Sequence, residues 1–287
     1  MNAAHLIVIT DLDGTLLDEQ SYRYDASLPA VRNLMALGIP LILCSSKTGS
    51  EIELLWRELR LRDPFICENG GAVWFPTGYF PFPLAEATPR GNLQMIALGT
   101  EVALLRRALK QSASGLSVRV RPFGDMSVEE VSRLTGLPRE QASLALQRDY
   151  DEPFIVEGEG AEELFAALQN KGFSVTFGGR LFHVTGGHDK GQAVRLLHEL
   201  YRRTDPACVS VGLGNSGNDL PLLREVDRPI LIRNADGSFD EEVLRAMPQV
   251  ERTLERGPAG WSAAIAKILE KARAGDFSQK TIKEFVG

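Results

Sequence analysis

The stretch LIVITDLDGT, residues 6–15, decides the fold of this chain. It begins with a short apolar run rich in β-branched residues, which is typical of a strand buried on both faces. Two aspartates follow the run, and Gly14 then allows the chain to turn sharply. The pattern predicts a central parallel strand that ends in a pair of carboxylates.

An alternation of strands and helices continues from this strand to about residue 75. Apolar runs at 39–44 and 65–68 alternate with amphipathic segments at 27–37 and 48–60. Such an alternation favours a parallel sheet with helices on both faces. We therefore predict an α/β protein with a Rossmann-like parallel-sheet core.

A second domain is predicted as an insertion in this core. Prolines and glycines interrupt the pattern between residues 76 and 89, and the chain up to residue 185 then carries strand and helix patterns of its own. The alternation of strands and helices returns at about residue 189. We predict a catalytic core of residues 1–85 and 187–287, and an inserted α/β cap of residues 86–186 that determines substrate specificity.

Composition argues against several classes of protein. The 287-residue chain has a formal net charge of −6, whereas nucleic acids and anionic membranes bind clustered positive charge. Cys44, Cys67 and Cys208 are too few and too widely spaced for a disulfide framework or a zinc cluster. The apolar run before Asp11 is short for a signal peptide or a membrane span. We expect a reduced, cytoplasmic protein without nucleic-acid or membrane partners, and the oligomeric state stays open.

Polar residues follow the predicted strands of the core. Ser45 and Ser46 come after the second strand, Glu68-Asn69-Gly70-Gly71 after the third, and Lys190 opens a helix where the core resumes. The strand near residue 210 leads into the loop 212–219. In an open parallel sheet, ligands bind beyond the carboxyl ends of the strands, so these residues are candidates for one site.

These residues resemble the haloacid dehalogenase superfamily, and in particular its Cof-like capped subgroup. Phosphatases of the superfamily carry Asp-x-Asp-x-Thr, a serine or threonine, a lysine and an acidic glycine-containing loop, and all four occur here in that order. The resemblance covers about residues 5–270. Besides the four elements, it includes the segments 150–154, Gly178-Gly179-Arg180 and 257–261. It implies a phosphatase that acts on a small phosphorylated sugar acid.

The resemblance also implies the roles of individual residues. Asp11 is the nucleophile that forms an aspartyl-phosphate, and Asp13 is the general acid and base. Lys190 supplies positive charge to the phosphate and Ser45 supplies a hydroxyl donor. Mg²⁺ is expected between Asp11, the backbone carbonyl of Asp13 and the last loop, since a hard cation prefers oxygen ligands. Taken singly, each of these residues also fits a turn, a helix cap or a solvated surface.

The last loop departs from the superfamily pattern at Asn215, where an aspartate is usual. An amide oxygen can bind Mg²⁺, but the site loses one negative charge and should hold the ion less well. We expect Asp219 to keep the metal site functional, either directly or through water.

Substrate contacts are expected from both predicted domains. Ser46 and Lys47 in the core, and Arg180 and His183 near the end of the cap, are the candidates. Arginine can grip a planar carboxylate with two parallel hydrogen bonds. Arg180 also fits a surface charge on a turn, and His183 also fits a buried histidine with a structural partner.

Three alternative functions remain at this point. One is a phosphatase with a broader range of sugar phosphates, and another is a phosphosugar-binding protein weakened in catalysis by Asn215. The third is a dinucleotide-binding oxidoreductase, because Gly212, Gly214 and Gly217 spell G-x-G-x-x-G after a strand and Asp236 follows at a suitable distance. That pattern is weak on its own and would leave the two aspartates without a role.

Overall fold

The structure, a computed structural model, describes residues 5–178 and 181–274. The chain divides into two compact units. Unit 1 consists of the described residues within Met1–Cys44, Gly78–Pro83 and Val194–Gly287, and unit 2 of those within Ser45–Thr77 and Leu84–Ala193. These boundaries differ from those of the predicted core and cap, and the functional division into core and cap stays a prediction.

The strands and helices follow one another along the whole described chain. The strands are β1 (Leu6–Thr10), β2 (Leu41–Cys44), β3 (Phe65–Cys67), β4 (Ala72–Pro76), β5 (Thr88–Arg90), β6 (Leu93–Ala97), β7 (Arg119–Pro122), β8 (Asp151–Glu157), β9 (Ser174–Gly178), β10 (Leu181–Thr185), β11 (Val209–Gly214), β12 (Arg228–Arg233) and β13 (Glu251–Arg256). The helices are α1 (Leu28–Ala36), α2 (Gly49–Glu58), α3 (Val102–Gly115), α4 (Val128–Thr135), α5 (Arg139–Ala145), α6 (Ala161–Gln169), α7 (Lys190–Thr204), α8 (Leu220–Glu225), α9 (Glu241–Ala246) and α10 (Gly257–Ala274).

Unit 1 contains parallel strands in the order β13-β12-β11-β1-β2. The central strand β1 is buried along its whole length, as its apolar sequence predicts. It pairs with β11 in a register that places Thr10 beside Leu213. The segments that follow β1 and β11 therefore both leave the sheet at the carboxyl ends of its strands.

One outer strand of unit 1 differs in character from the central ones. β13, with the sequence ERTLER, pairs with β12 and forms the edge of the sheet. Only Thr253 is buried in this strand, and Leu254 is 88% exposed. The strand is therefore largely charged and solvated, which is how sheet edges avoid unwanted pairing.

Unit 2 contains two antiparallel arrangements of strands. One has the order β3-β4-β6-β5 and the other the order β7-β8-β10-β9. Helices α3 and α6 cover the second arrangement with an apolar cluster that includes Leu105, Leu109, Phe154, Leu164 and Leu168. Unit 2 thus has a hydrophobic core of its own.

The predicted fold class is confirmed, since the described chain combines strands and helices around a parallel-stranded centre. Cys44, Cys67 and Cys208 are buried free thiols. None of the helices within residues 5–178 and 181–274 is both long enough and apolar enough to cross a membrane.

Candidate active site

The loop after β1 is a tightly hydrogen-bonded turn in unit 1. The backbone N–H of Asp11 donates to the carbonyl of Leu213 at 2.9 Å, and the N–H of Leu17 donates to the carbonyl of Leu12 at 2.8 Å. Asp11 is buried, whereas Asp13 is half-buried. The two carboxylates predicted for catalysis therefore stand on a fixed turn at the end of the central strand.

The loop after β11 meets this turn through the side chain of Asn215. The Thr15 hydroxyl donates to Asn215 Oδ1 at 3.1 Å, and Asn215 Nδ2 donates to Asn234 Oδ1 at 2.9 Å. Gly14 has φ +76°, and a Cβ atom there would lie 2.7 Å from Asn215 Nδ2. Gly14 is therefore required both for its conformation and for the close approach of the two loops. The structure thus brings the Asp11–Thr15 turn together with Asn215.

Asp219 organises the backbone of the same loop. Its side chain is fully buried, and Oδ2 accepts hydrogen bonds from the N–H groups of Asn215 at 2.9 Å and Ser216 at 3.1 Å. A Cβ atom on Gly214 would lie 2.4 Å from the Cβ of Asp219, so a glycine is needed there to admit the carboxylate. Close packing inside the protein thus explains this glycine of the G-x-G-x-x-G pattern.

The donors in unit 1 fit a hard divalent cation. Asp11, Asp13 and Asn215 offer carboxylate, amide and backbone oxygens, which are the ligands that Mg²⁺ prefers. Among the residues that the structure describes, no three His, Cys, Asp or Glu side chains form a group that could hold a metal. An oxygen-donor site in this unit would therefore depend on the amide of Asn215 or on a backbone carbonyl as well as on carboxylates.

Ser45, Ser46 and Lys47 form a fixed turn in unit 2. The N–H of Ser45 donates to the carbonyl of Ile66 at 3.0 Å, and the N–H of Lys47 donates to Ser45 Oγ at 3.2 Å. Thr48 then caps α2 in a capping box with Glu51. Ser45 is buried, and Ser46 and Lys47 are half-buried, so the turn presents these side chains from a rigid helix start.

Lys190 is a buried cation at the first turn of α7. Its side chain belongs to the largest fully buried ones of the described chain, and Asp189 caps the helix by accepting a hydrogen bond from the N–H of Gln192 at 2.8 Å. Burial and the positive end of the helix dipole both oppose an ammonium group here. An anion close to the ammonium group would offset both effects.

His183 lies in a buried polar cluster of unit 2, where its ring is held by Asp151. The Nδ1 atom of His183 is 2.9 Å from Asp151 Oδ2, and Asn69 Nδ2 donates to the same oxygen at 2.8 Å. Burial alone would raise the pKa of Asp151, but His183 and Arg148 hold it below its usual range. The other predicted cap residue, Arg180, lies outside the described residues.

Glu68 connects two parts of unit 2 through its buried carboxylate, whose Oε1 accepts from the N–H of Asp149 at 3.0 Å. Glu68 Oε2 accepts hydrogen bonds from the backbone N–H groups of Asp149 at 3.1 Å, Tyr150 at 2.8 Å and Asp151 at 2.8 Å. His188 is buried, and its Nε2 lies 3.0 Å from the Glu68 carbonyl oxygen. The sequence singles out residues 68–71 as a strand-end motif, but the acceptor role of Glu68 depends on a segment about 80 positions away and could not be predicted.

The structure also contains contacts around the candidate site that sequence analysis missed. Asn234 holds the amide of Asn215, and Thr10 and Trp261 form hydrogen bonds immediately behind Asp11. The position of Thr10 before the aspartate motif, and that of Trp261 in the segment 257–261, were the available signals. Neither position indicates which side chains meet in the folded chain.

Comparison with known proteins defines the class of protein. A family model of haloacid dehalogenase-like hydrolases matches residues 8–79. A solved haloacid dehalogenase-like hydrolase from Bacteroides thetaiotaomicron has the same fold, with a TM-score of 0.63 over 91% of this chain and 98% of that chain at 15% identity. The solved structure shows the shared fold, and the family model places the segment of the aspartate motif among haloacid dehalogenase-like hydrolases.

Two relatives of known name are similar over most of their length. The glucosyl-3-phosphoglycerate/mannosyl-3-phosphoglycerate phosphatase of Methanococcoides burtonii is 39% identical over 267 residues, which is 92% of this chain and 97% of the relative. The mannosyl-3-phosphoglycerate phosphatase of Pyrococcus furiosus is 37% identical over 227 residues, 79% of this chain and 90% of the relative. The chain therefore belongs to this family of haloacid dehalogenase-like phosphatases and is a phosphoric monoester hydrolase, which confirms the resemblance.

Proposed function

We propose that the chain hydrolyses a glycosyl-3-phosphoglycerate, with the mannosyl form as the preferred substrate, to glycosylglycerate and inorganic phosphate. The proposal depends on Mg²⁺ and on an aspartyl-phosphate at Asp11. Its main support is that the Asp11–Thr15 turn lies against Asn215, at the carboxyl ends of β1 and β11, in a chain 39% identical to a phosphatase named for these substrates. A cytoplasmic location is part of the same proposal.

The proposed reaction has two steps, and each transfers the phosphoryl group. A carboxylate oxygen of Asp11 attacks phosphorus, the bond from phosphorus to the glycerate oxygen breaks, and Asp13 gives a proton to the leaving alkoxide. Water then attacks the aspartyl-phosphate, Asp13 takes the proton of the water, and Asp11 is regenerated as phosphate leaves. The buried turn around Asp11 supports the fixed position that an in-line attack requires.

A magnesium ion, when bound, would neutralise the charge that makes a carboxylate and a phosphate repel each other. Asp11, the backbone carbonyl of Asp13 and Asn215 are the proposed ligands. Asp219 holds the backbone of the ligand loop in place, so we assign it a supporting role, with any contact to the ion through water.

The family resemblance assigns further roles in catalysis and substrate binding to residues of unit 2. Lys190 would contribute positive charge to the phosphate, and Ser45 a hydroxyl donor. Ser46 and Lys47 remain candidates for substrate contacts, as does Arg180. The ring of His183 is already held by Asp151, so we propose that it contributes a fixed Nε2 atom.

We expect phosphate release from both mannosyl- and glucosyl-3-phosphoglycerate, with the higher kcat/KM for the mannosyl form and no turnover after chelation of Mg²⁺. The measurement is steady-state phosphate release from these two substrates and from a panel of simple sugar phosphates. Equal rates on the whole panel would instead support the broader sugar-phosphate phosphatase. Binding of either glycosyl-3-phosphoglycerate without release would contradict the proposal and support a binding protein.

Asn215→Asp is expected to tighten Mg²⁺ binding, since it restores one negative charge to an oxygen-donor site. We expect a gain of about tenfold in affinity, equivalent to ~1.4 kcal/mol. Asn234 can accommodate the change by turning its amide, so that its nitrogen faces the new carboxylate in place of Oδ1.

The affinity for Mg²⁺ is measured by calorimetric titration of the protein without substrate. Asn33→Asp, which adds the same charge on the exposed face of α1, is the matched control and should leave the affinity unchanged. An affinity of Asn215→Asp equal to that of the wild type would remove Asn215 from the proposed ligand set.

A further inference from the structure

Two hydrogen bonds connect the last helix of the described chain to the backbone of Asp11. The Trp261 indole Nε1–H donates to Thr10 Oγ1 at 2.9 Å, and the Thr10 hydroxyl donates to the carbonyl oxygen of Asp11 at 2.8 Å. Trp261 and Thr10 are both fully buried in unit 1. The two bonds therefore form a relay that runs from α10 to the residue of the aspartate motif that we propose as the nucleophile.

The direction of the relay follows from the chemistry of the groups. An indole N–H can only donate, and a hydroxyl group has one proton to give. The Thr10 hydroxyl must therefore accept from Trp261 and give its own proton to the carbonyl of Asp11. On the other side of the residue, the N–H of Asp11 donates to the carbonyl of Leu213. The peptide groups on both sides of Asp11 are thus held by neighbours.

The segment 257–261 places the indole at this position. A Cβ atom on Gly260 would lie 2.3 Å from the carbonyl oxygen of Glu255, so only a glycine allows the start of α10 to pack this closely against the end of β13. Trp261 follows directly and is among the largest fully buried side chains of the described chain. The segment therefore has a structural explanation that leads to the backbone of Asp11.

We propose that Thr10 and Trp261 are positioning residues of the phosphatase reaction, which hold the Asp11 peptide so that its carboxylate meets phosphorus in line. This inference rests on the proposed role of Asp11 as nucleophile. Neither side chain takes part in bond making, so their loss should affect the rate of the chemical step more than the binding of substrate. If the hydroxyl and the indole served only for packing, their loss would not affect the rate of the chemical step more than the binding of substrate.

The test compares kcat and KM for phosphate release from mannosyl-3-phosphoglycerate in four variants. Thr10→Val removes the hydroxyl at nearly constant volume, and we expect kcat to fall by about tenfold with KM within about twofold of the wild type. Thr10→Ser keeps the hydroxyl and should restore kcat to within about threefold of the wild type. Trp261→Phe leaves the Thr10 bond intact and should lower kcat by about threefold, and the double variant Thr10→Val/Trp261→Phe should match Thr10→Val alone.

A second indole provides the matched control. Trp56, a half-buried side chain of unit 2, donates its Nε1–H to the backbone carbonyl of Asp63 at 2.8 Å. Trp56→Phe removes an indole hydrogen bond that does not involve Thr10 or Asp11, and it should leave kcat unchanged. The inhibition constant of inorganic phosphate, a readout of binding at the proposed site, should be the same in all of these variants.

Several results would overturn the inference. Equal losses of kcat in Thr10→Ser and Thr10→Val would indicate packing, and an equal loss in Trp56→Phe and Trp261→Phe would indicate general destabilisation. If Thr10→Val does not fold, Trp261→Phe decides: an unchanged kcat in that variant rejects the relay. Asp11→Asn separates the two proposals, since an inactive Asp11→Asn beside a fully active Thr10→Val rejects the relay alone, whereas an active Asp11→Asn rejects both.

Discussion

Asp11→Asn is expected to lower the rate of phosphate release by roughly 10⁴-fold or more, since the amide is a poor nucleophile and cannot form the aspartyl-phosphate. The substitution preserves the size of the side chain, and the backbone hydrogen bonds of the turn do not involve the carboxylate. We therefore expect the variant to fold with an unchanged melting temperature. The measurement is steady-state phosphate release at saturating substrate and Mg²⁺.

Asp18→Asn provides the control for this substitution. It makes the same chemical change seven residues later, at a carboxylate that accepts hydrogen bonds from Ser21 and Gln20 in an exposed turn. This variant should retain the wild-type rate. Turnover by Asp11→Asn above about one hundredth of the wild-type rate would exclude Asp11 as the nucleophile.

Glu68→Ala is expected to destabilise the protein by about 3 kcal/mol or more. The substitution removes the acceptor of three backbone N–H groups at positions 149–151, and each buried donor left unpaired costs roughly 1–3 kcal/mol. Unfolding in urea at pH 7, followed by circular dichroism, measures the effect. Glu86→Ala, at an exposed position of unit 2, should change stability by less than about 0.5 kcal/mol. A similar small effect for Glu68→Ala would show that water replaces the carboxylate.

Glu68→Gln is expected to be tolerated and to remove a pH dependence of stability. Burial raises the pKa of Glu68 to about 7, although Arg148 and the N–H groups of Tyr150 and Asp149 oppose this shift. Oε2 accepts from all three N–H groups, and Oε1 shares only that of Asp149, so Oε1 can carry the proton while each N–H keeps an acceptor. The neutral amide of glutamine then mimics the protonated acid.

The sign of this pH dependence follows from proton binding. A carboxyl group with a raised pKa binds a proton more tightly in the folded chain than in the unfolded chain. Its contribution to the free energy of unfolding is therefore full below pH 4.5 and is lost as pH rises through 7. The wild type should therefore lose up to about 3 kcal/mol between these values relative to Glu68→Gln. Urea unfolding of both proteins across this range tests the expectation, and parallel stability curves would contradict it.

The strands of the fold were predictable where an apolar run in the sequence is also a buried segment of the structure. The apolar runs that became β1, β2 and β11 are buried, and the sequence shows this directly. β8 begins at Asp151, three residues before its apolar run 154–156, because its charged residues find partners elsewhere in the chain. Asp151 meets His183, and Glu152 meets Arg106 and the N–H of Gly124. Sequence patterns could not reveal these partners. β13 was missed for a related reason, since a charged edge strand has no apolar alternation.

The candidate site was predictable in its chemistry and less so in its supporting contacts. The two aspartates of the motif could be selected from their type and their position at a strand end, whereas Asn215 was selected because the family resemblance places an aspartate there. Thr10 and Asn234 act through hydrogen bonds to other residues of the site, and these bonds exist only after folding. Asp219 has the right side chain for a metal ligand, yet its Oδ2 atom accepts hydrogen bonds from the N–H groups of its own loop.

The sequence of β13 has a consequence for the solubility of the protein. If two copies met along this edge in antiparallel fashion, opposed side chains would have to point to the same face, so the paired residue numbers would both be odd or both be even. In β13 such regular pairing is interrupted, because its register with β12 shifts between Leu231 and Arg233. Its four charged side chains, two glutamates and two arginines, would also have to be accommodated along the shared edge. The edge thus resists the growth of β-aggregates from this protein even though it carries one of its most exposed leucines.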